Sequence, residues 1–346
     1  MRIKGVDSLQ GGEILAEPIL TKENEILIPK GTVLKKDYVP LIQELELESV
    51  MVEDPYLSYE EPHFILSEER HQYYVERIRK VLESHIYHGK GSLKVIEPLS
   101  RELVDEINAL VTDNMIIDMD ERNADLYEHS IMVTLLSIII SKKMKLKKKQ
   151  QYSIAIGCLL HDLGLRYITV PIENCNWNQE QPIAVFEFKK HTILAYSALE
   201  EETWLPAISK KMILSHHERM DGSGFPLKQK NTEIECKIIQ ACDAFDCMIS
   251  GMECKRLSIQ EALSYMKEKA GIEYEEEIVN HIISMVAKYP VGTTIKTSEE
   301  ENGVVVSQTS DPENPIIMIL DQEMKCNDEK KYNLEIDKNI SILQVV

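Results

Sequence analysis

Two adjacent histidines stand beside a glycine-rich turn in the stretch ILSHHERMDGSGFP, which runs from Ile213 to Pro226. Neighbouring imidazoles are costly to hold together in a protein interior unless something binds them, because neutral rings need hydrogen-bond partners and charged rings repel each other. The glycines that follow allow the backbone to turn sharply and to approach a ligand closely. We therefore interpret His216 and His217 as part of one wall of a metal centre.

Three further histidines and two aspartates occur on or beside apolar helical segments, namely His129, His161, Asp162, His191 and Asp243. A single histidine on an apolar helix is usually a core residue with its own partner. Five buried imidazoles and two buried carboxylates would each need a separate partner, whereas one or two metal ions would satisfy them together. Imidazole mixed with carboxylate, without thiolate, favours iron, manganese or zinc over calcium or an iron–sulfur cluster.

Such a ligand set is suited to hydrolysis of a phosphodiester. Two ions about 3.5–4 Å apart, bridged by a carboxylate and a hydroxide, can activate a water molecule, polarise the phosphoryl oxygens and stabilise the leaving oxygen. Each residue also has an ordinary structural explanation when it is taken alone. Only the combination favours a metal centre over an inert helical protein.

The order of these motifs resembles the metal-dependent phosphohydrolase superfamily that is named for its His-Asp doublet. The resemblance is carried by His129, by the doublet in LLHDLG and by Asp243 in ACDAFD, and it extends over roughly residues 120–269. His191 and HHERMDGSGFP are similar to the HD-GYP branch, whose members hydrolyse cyclic di-GMP. The resemblance implies a phosphodiesterase that acts in bacterial second-messenger signalling.

The resemblance also implies roles for individual residues. By position it assigns metal ligation to His129, His161, Asp162, His191, His216, His217 and Asp243. The catalytic doublet would be His161 and Asp162, with Asp162 bridging two iron or manganese ions and Asp125 as a ligand of a third. A metal-bridging hydroxide would then attack cyclic di-GMP to give linear pGpG, or GMP after further cleavage.

Departures from the family pattern concern the substrate rather than the metal. Leu165 stands where the family motif HDxGK has a lysine, Phe225 replaces the tyrosine of GYP, and ISGMECKR replaces TSDRPYR. The candidate substrate contacts are Gly222, Gly224, Phe225, Arg166 and Lys255. The alternative function is therefore a metal-bound cyclic-dinucleotide receptor with weak catalysis, which signals through its flanking domains. A homodimer or signalling partner proteins are left open.

Composition indicates an ordinary globular protein of 346 residues, with 43% hydrophobic residues and a formal net charge of −19. This charge argues against a broad surface for nucleic-acid polymers. The basic run Lys142–Lys149 is interpreted as a solvated helix end. Seven cysteines without a CxxC pair favour a reducing cytoplasm. The N-terminus has no apolar signal core and Ile131–Ile140 is too short to span a bilayer, so no membrane anchor is expected.

The periodicity of apolar residues predicts a mainly α protein in four parts. These are a small α+β module at 1–54, a linker and helices at 55–115, an HD-type helical bundle at 116–290 and a small β-rich module at 291–346. In the first part, strands are predicted at 14–20, 25–28 and 49–52, with a helix from Asp37 towards Glu48.

Further along the chain, helices are predicted at 67–88, 98–112, 124–141, 151–162, near 185, from 206, and at 235–250, 258–270 and 275–288. Strands are predicted at 292–296, 303–307, 315–320 and 340–345. Gly164 is interpreted as a helix stop. His63, His71, His85 and His88 lie in a polar region and are expected on the surface.

Overall fold

The structure is a computed structural model, and it describes the chain except for residues 1, 10, 21–25, 44, 46, 48, 54–60, 89–90, 113, 120–121, 178 and 321–325. The chain divides into two compact units. The first comprises residues 1–64, 116–121 and 284–346, and the second comprises residues 65–115 and 122–283. The protein is mainly helical, as the sequence predicts.

The N-terminal part of the first unit contains short strands. Strand β1 (Arg2–Gly5) pairs antiparallel with β4 (Ser49–Val52), and β2 (Ile19–Leu20) pairs with β3 (Ile26–Ile28). Helix α1 (Val39–Gln43) follows a 3₁₀ turn and is shorter than predicted. Strand β1 was not predicted. Strand β2 is also shorter than expected, because Ile14 and Leu15 form only isolated bridges, to Val33 and Val52.

The C-terminal part of the first unit is an antiparallel sheet with the strand order β8-β7-β6-β5-β9. Its strands are β5 (Thr294–Thr297), β6 (Asn302–Ser307), β7 (Ile316–Leu320), β8 (Cys326–Asn333) and β9 (Ile342–Val345). The predicted small C-terminal sheet is confirmed, although β8 was missed. The sequence of β8, CNDEKKYN, lacks the β-branched residues and the apolar alternation that indicate a strand.

The second unit is built from helices. They are α2 (Glu68–His88), α3 (Ile96–Leu110), α4 (Leu126–Lys143), α5 (Lys148–Leu160), α6 (Pro182–Lys189), α7 (His191–Leu199), α8 (Ala207–Ser215), α9 (Ile234–Ser250), α10 (Ile259–Lys269) and most of α11 (Glu276–Met285). Helices α4, α5 and α9 are apolar on most sides and contribute much of the core. None of the described helices is both long and apolar enough to cross a membrane.

One of the histidine expectations is wrong. His85 is only 8% exposed, and its Nδ1 lies 3.0 Å from the hydroxyl of Ser92. His71 is half-buried and contacts the carboxylate of Glu128 at 2.6 Å, whereas His63 is exposed as expected. The side chain of His88 lies outside the described residues. Long helices bury one face through packing that the local sequence does not reveal, so α2 can enclose a histidine within a polar region.

Gly164 does not end a helix, contrary to expectation. Helix α5 ends at Leu160, and the chain continues as a 3₁₀ helix over His161–Tyr167, which includes Gly164. A Cβ atom added to Gly164 would lie 1.8 Å from the backbone oxygen of His191. The glycine is therefore required where the 3₁₀ helix packs against the start of α7.

We expect Gly164→Ala to lower stability by about 3 kcal/mol or more, because a methyl group cannot displace backbone atoms without moving α7. For a unit of this size the melting temperature should fall by about 6–12 °C. Thermal unfolding followed by circular dichroism measures this effect. Gly157→Ala is the matched control, because the nearest atoms to its Cβ belong to the Met212 side chain and not to backbone. Equal melting temperatures for the two variants would contradict the packing explanation.

Candidate metal centre

The seven residues that the motifs select lie together in the interior of the second unit. His129 is in the first turn of α4, His161 and Asp162 follow α5, His191 begins α7, His216 and His217 follow α8, and Asp243 is in the middle of α9. All seven are buried, and His217 is the most exposed of them at 8%. Four helix termini and one helix interior therefore converge on one point.

Backbone carbonyls orient three of the imidazoles. The Nδ1 atoms of His161, His191 and His216 donate to the carbonyl oxygens of Cys158, Phe188 and Ile213, at 2.6, 2.7 and 2.8 Å. A carbonyl oxygen can only accept, so Nδ1 carries the hydrogen in each ring. When these rings are neutral, each Nε2 atom is unprotonated, and its lone pair points into the cluster. Metal-ligating histidines are usually held in this way.

The first half of the cluster has four donor atoms. The Nε2 atom of His129 lies 3.2 Å from both His161 Nε2 and Asp243 Oδ1, and 3.5 Å from Asp162 Oδ2. His161 Nε2 lies 3.3 Å from Asp162 Oδ2 and 3.4 Å from Asp243 Oδ1. Two atoms bound at about 2.1 Å to one ion lie about 3.0–3.4 Å apart. The spacing of these four donors therefore fits a single ion.

The second half contains the other oxygen of Asp162. Its Oδ1 lies 3.4 Å from His216 Nε2 and 3.7 Å from His191 Nε2, and these two nitrogens are 3.1 Å apart. The donor atoms of His191, His216 and His217 all lie within 4.8 Å of one another. One oxygen of Asp162 thus faces each half, which is the arrangement expected of a bridging carboxylate.

The electrostatics of the first half favour positive charge. Burial alone would lower the pKa of His129, but its hydrogen bonds with Asp243 and Asp246 outweigh burial and raise the pKa to about 9. Burial alone would raise the pKa of Asp162, but the nearby imidazoles of His161 and His216 hold that pKa well below its ordinary value. A cation is therefore stabilised at this position.

Two imidazoles of the second half, those of His191 and His217, are kept neutral. Burial lowers the pKa of His191 to about 4 and holds the pKa of His217 well below its ordinary value. Neutral imidazole is the form that binds a metal. These two rings therefore need no deprotonation to act as ligands near pH 7.

Several donor atoms of the cluster have no hydrogen-bond partner among the described residues. They are both carboxylate oxygens of Asp162, Oδ2 of Asp243 and Nε2 of His217. Buried polar atoms of native proteins are nearly always paired, so a group of four such atoms in one place requires an explanation. Divalent ions explain all four together, and the residues present fit them.

Comparison with known proteins agrees with this geometry. Residues 114–278 match the family model described as an HD domain. Over these residues the chain is similar to the HD domains, which are a metal-dependent family.

Two curated relatives match more than half of the chain. The chain is 27% identical over 218 residues to a cyclic di-GMP phosphodiesterase of Pseudomonas aeruginosa, which covers 60% of this chain and 51% of that protein. It is 26% identical over 210 residues to a cyclic di-GMP phosphodiesterase of Thermotoga maritima. That match covers 58% of this chain and 56% of that protein. The chain thus spans about half the length of these relatives.

Among solved structures, an HDG"Y"P protein from Bdellovibrio bacteriovorus is similar with a TM-score of 0.42 and 14% identity. The match covers 81% of this chain and 97% of that chain.

The turn after His217 is held by hydrogen bonds to Glu218 and by close packing at Gly224. The carboxylate of Glu218 accepts hydrogen bonds from the backbone N–H groups of Leu227 and Gln229, at 2.6 and 2.8 Å. A Cβ atom on Gly224 would lie 2.4 Å from the backbone oxygen of His217. The Phe225 ring then stacks on His217, with centroids 4.5 Å apart. Glu218 and Gly224 therefore hold the aromatic ring against the metal centre.

The other predicted substrate contacts have varied surroundings. Arg166 donates to the hydroxyl of Tyr127 at 2.7 Å, and Lys255 is exposed. Gly222 has a φ of 84° in an exposed turn. Leu165 is buried in an apolar cluster with Phe188, Cys247, Met252 and Ala124, against which Phe225 packs. An apolar wall therefore stands where the family pattern has a lysine.

Asp125, the predicted ligand of a third ion, is the N-cap of α4. Its Oδ1 accepts from the N–H groups of Tyr127 and Glu128, at 3.0 and 2.9 Å. Its Oδ2 lies 3.1 Å from Arg79 Nη2. The structure thus gives this carboxylate a capping role with a cationic neighbour.

Two residues of the HD domain were not identified by sequence reasoning. Asp246 Oδ2 accepts from His129 Nδ1 at 2.7 Å, and its Oδ1 pairs with Arg122. Glu253 lies beside the second half of the cluster. Asp246 could have been found from helical spacing, because it is one turn from Asp243 on the buried face of α9. Glu253 has no such signal.

Proposed function

We propose that this HD domain is a metal-dependent phosphodiesterase that hydrolyses cyclic di-GMP. The observation that supports it best is Asp162, a buried carboxylate with one oxygen turned to each of two groups of imidazoles. When bound, divalent ions lower the pKa of a coordinated water and polarise phosphoryl oxygens. The names of the curated relatives supply the substrate class.

The ligands divide between two ions, for which iron and manganese are favoured. His129, His161, Asp162 and Asp243 would hold the first ion. The second would be held by His191, His216, His217 and the other oxygen of Asp162. Asp246 positions His129 by accepting from its Nδ1, and three backbone carbonyls position His161, His191 and His216. We propose pGpG as the first product and GMP as a second.

The residues around the centre exclude water and present an aromatic surface to the substrate. Phe225 offers a ring that is half-buried and already stacked on His217, so a nucleobase can extend the stack. The ammonium of Lys189 lies 5.2 Å from the centroid of the Phe225 ring. Because Leu165 carries no charge, we propose that Lys189 supplies positive charge to the phosphates at this rim.

A second candidate function is a receptor that binds the cyclic dinucleotide with little turnover. Leu165 favours this alternative, because it is buried in an apolar cluster where the family pattern has a phosphate-contacting lysine. Arg166, the next residue along the chain, is engaged with Tyr127. The arrangement of the seven donor residues favours catalysis instead.

Turnover and binding measured side by side separate the two functions. Iron- or manganese-loaded protein is incubated with an excess of cyclic di-GMP, products are separated by chromatography, and affinity is measured by calorimetry on the calcium-loaded form. Several turnovers per chain, lost after chelation, are expected for the phosphodiesterase. Binding without product would support the receptor, and neither binding nor product would overturn both. Cyclic di-AMP in parallel tests the preference for guanine.

A further inference from the structure

Glu253 is a buried carboxylate that belongs to neither the His-Asp doublet nor the HHERMDGSGFP motif. It is 4% exposed, its Oε2 lies 3.1 Å from His217 Nε2, and its Oε1 lies 3.9 Å from His191 Nε2. Its Oε1 has no hydrogen-bond partner within the described part of the chain. The donor atoms of Asp162, His191 and Glu253 all lie within 4.8 Å of one another. Glu253 therefore extends the second half of the cluster.

The backbone at this position is unusual for a glutamate. Glu253 has a φ of 60°, in the left-handed region that side chains other than those of glycine and asparagine rarely adopt. The surrounding loop holds it there, because the Trp177 indole donates to the Glu253 carbonyl at 2.5 Å and Met252 forms a β-bridge with Glu173. Backbone strain of this kind collects at functional sites, where neighbouring structure enforces it.

A simple ion pair does not explain the burial of Glu253. His217 Nε2 lies 3.1 Å from Glu253 Oε2, yet this nitrogen has no hydrogen-bond partner within the described residues. Two further buried carboxylates belong to the same cluster: Asp162 shares a group of donor atoms with Glu253, and Asp243 Oδ2 lies 3.8 Å from His217 Nδ1. Three buried carboxylates in one cluster repel one another unless a cation lies among them.

We infer that Glu253 is a ligand of the second metal ion, together with His191, His216, His217 and the bridging Asp162. This inference rests on the proposed two-ion centre. In the segment ISGMECKR, Glu253 stands where the family pattern TSDRPYR has its proline. The carboxylate is therefore a feature of this chain rather than of the motif. Asp162 and Asp243 neutralise two of the four positive charges that two divalent ions bring. Glu253 neutralises one more.

The test compares metal binding by wild-type protein, Glu253→Gln and a matched control. Metal content is measured by plasma mass spectrometry after dialysis, and affinity is measured by competition with a chromogenic chelator. We expect Glu253→Gln to retain one ion fewer than the wild type and to bind its most weakly held ion at least about 10-fold less tightly, because even a partner outside the ligand sphere contributes about 10–100-fold.

Glu300→Gln is the matched control. Glu300 also has a left-handed backbone, with a φ of 63°, but its side chain is 80% exposed and lies near Lys296. We expect this variant to bind metal as the wild type does. Glu253→Gly supplies a second test that relieves the backbone strain while removing the carboxylate. It should fold and show the same metal deficit as Glu253→Gln.

Wild-type metal content and affinity in both Glu253 variants would overturn the inference. The inference would also fail if the variants kept their metal and gained turnover, because Glu253 would then block the centre instead of completing it. These outcomes are distinct from failure of the proposed function. A wild-type protein that binds no metal would contradict the centre itself, whereas a protein that loses an ion with Glu253 but never hydrolyses cyclic di-GMP would leave the ligand assignment intact.

Discussion

Asp162→Ala is expected to release metal and to reduce hydrolysis of cyclic di-GMP by at least about 10³-fold. Asp162 turns one oxygen to each half of the centre, at 3.3 Å from His161 Nε2 and 3.4 Å from His216 Nε2. Its removal therefore weakens the binding of two ions at once. Even residues that only support a ligand contribute about 10–100-fold to metal affinity or activity. Metal content and initial rates on freshly loaded protein measure the effect.

Two further variants make the Asp162 result specific. Asp162→Asn keeps the shape of the side chain but loses its charge, so it should show the same loss of metal with a smaller change in packing. Asp105→Ala removes an exposed carboxylate of α3 that pairs with Lys148 of α5. This variant should keep metal and activity. Full activity of Asp162→Ala would refute the assignment of the catalytic centre.

Removal of metal should destabilise the second unit strongly. Without a cation, bare nitrogens of His191 and His216 face each other at 3.1 Å, and both oxygens of Asp162 lack a hydrogen-bond partner within the described residues. An ion at about 1,000 times its dissociation constant contributes about 4 kcal/mol of stability. For a unit of this size we expect chelation to lower the melting temperature by about 8–16 °C.

Differential scanning calorimetry with and without a chelator measures the shift, and re-addition of manganese should reverse it. The first unit provides an internal control, because its separate cores contain none of the seven donor residues. A transition assigned to that unit should not move. If chelation left the whole melting profile unchanged, the cluster would not be a metal centre.

Side-chain chemistry made the centre predictable from local sequence. Histidines and aspartates on apolar helices must find partners, and the pattern of apolar residues sets which face of each helix is buried. For that reason His129, on α4, and Asp243, on α9, could be selected without any knowledge of how the helices pack. Helices α2, α9 and α10 also begin and end within about two residues of their predicted bounds, because capping residues and Gly251 mark their ends.

Other features depended on contacts between distant segments. Gly164 was mistaken for a helix stop because its real constraint, the backbone oxygen of His191, lies on another helix. Strand β8 was missed because its pairing with β7 compensates for a charged sequence that carries no strand signal. The burial of His85 likewise depends on how α2 packs, which the polar residues around it in the sequence did not reveal.

The amino-acid sequence by itself determined which side chains could bind a metal ion and their order along the chain, because those properties reside in single side chains and in helical spacing. Only the tertiary structure decided that one oxygen of Asp162 faces each half, and that Glu253 turns inward from a strained loop. The physical reason is that the direction of a side chain in a loop depends on backbone angles that distant residues enforce. For Glu253 these are Trp177 and Glu173, some 80 residues earlier in the chain.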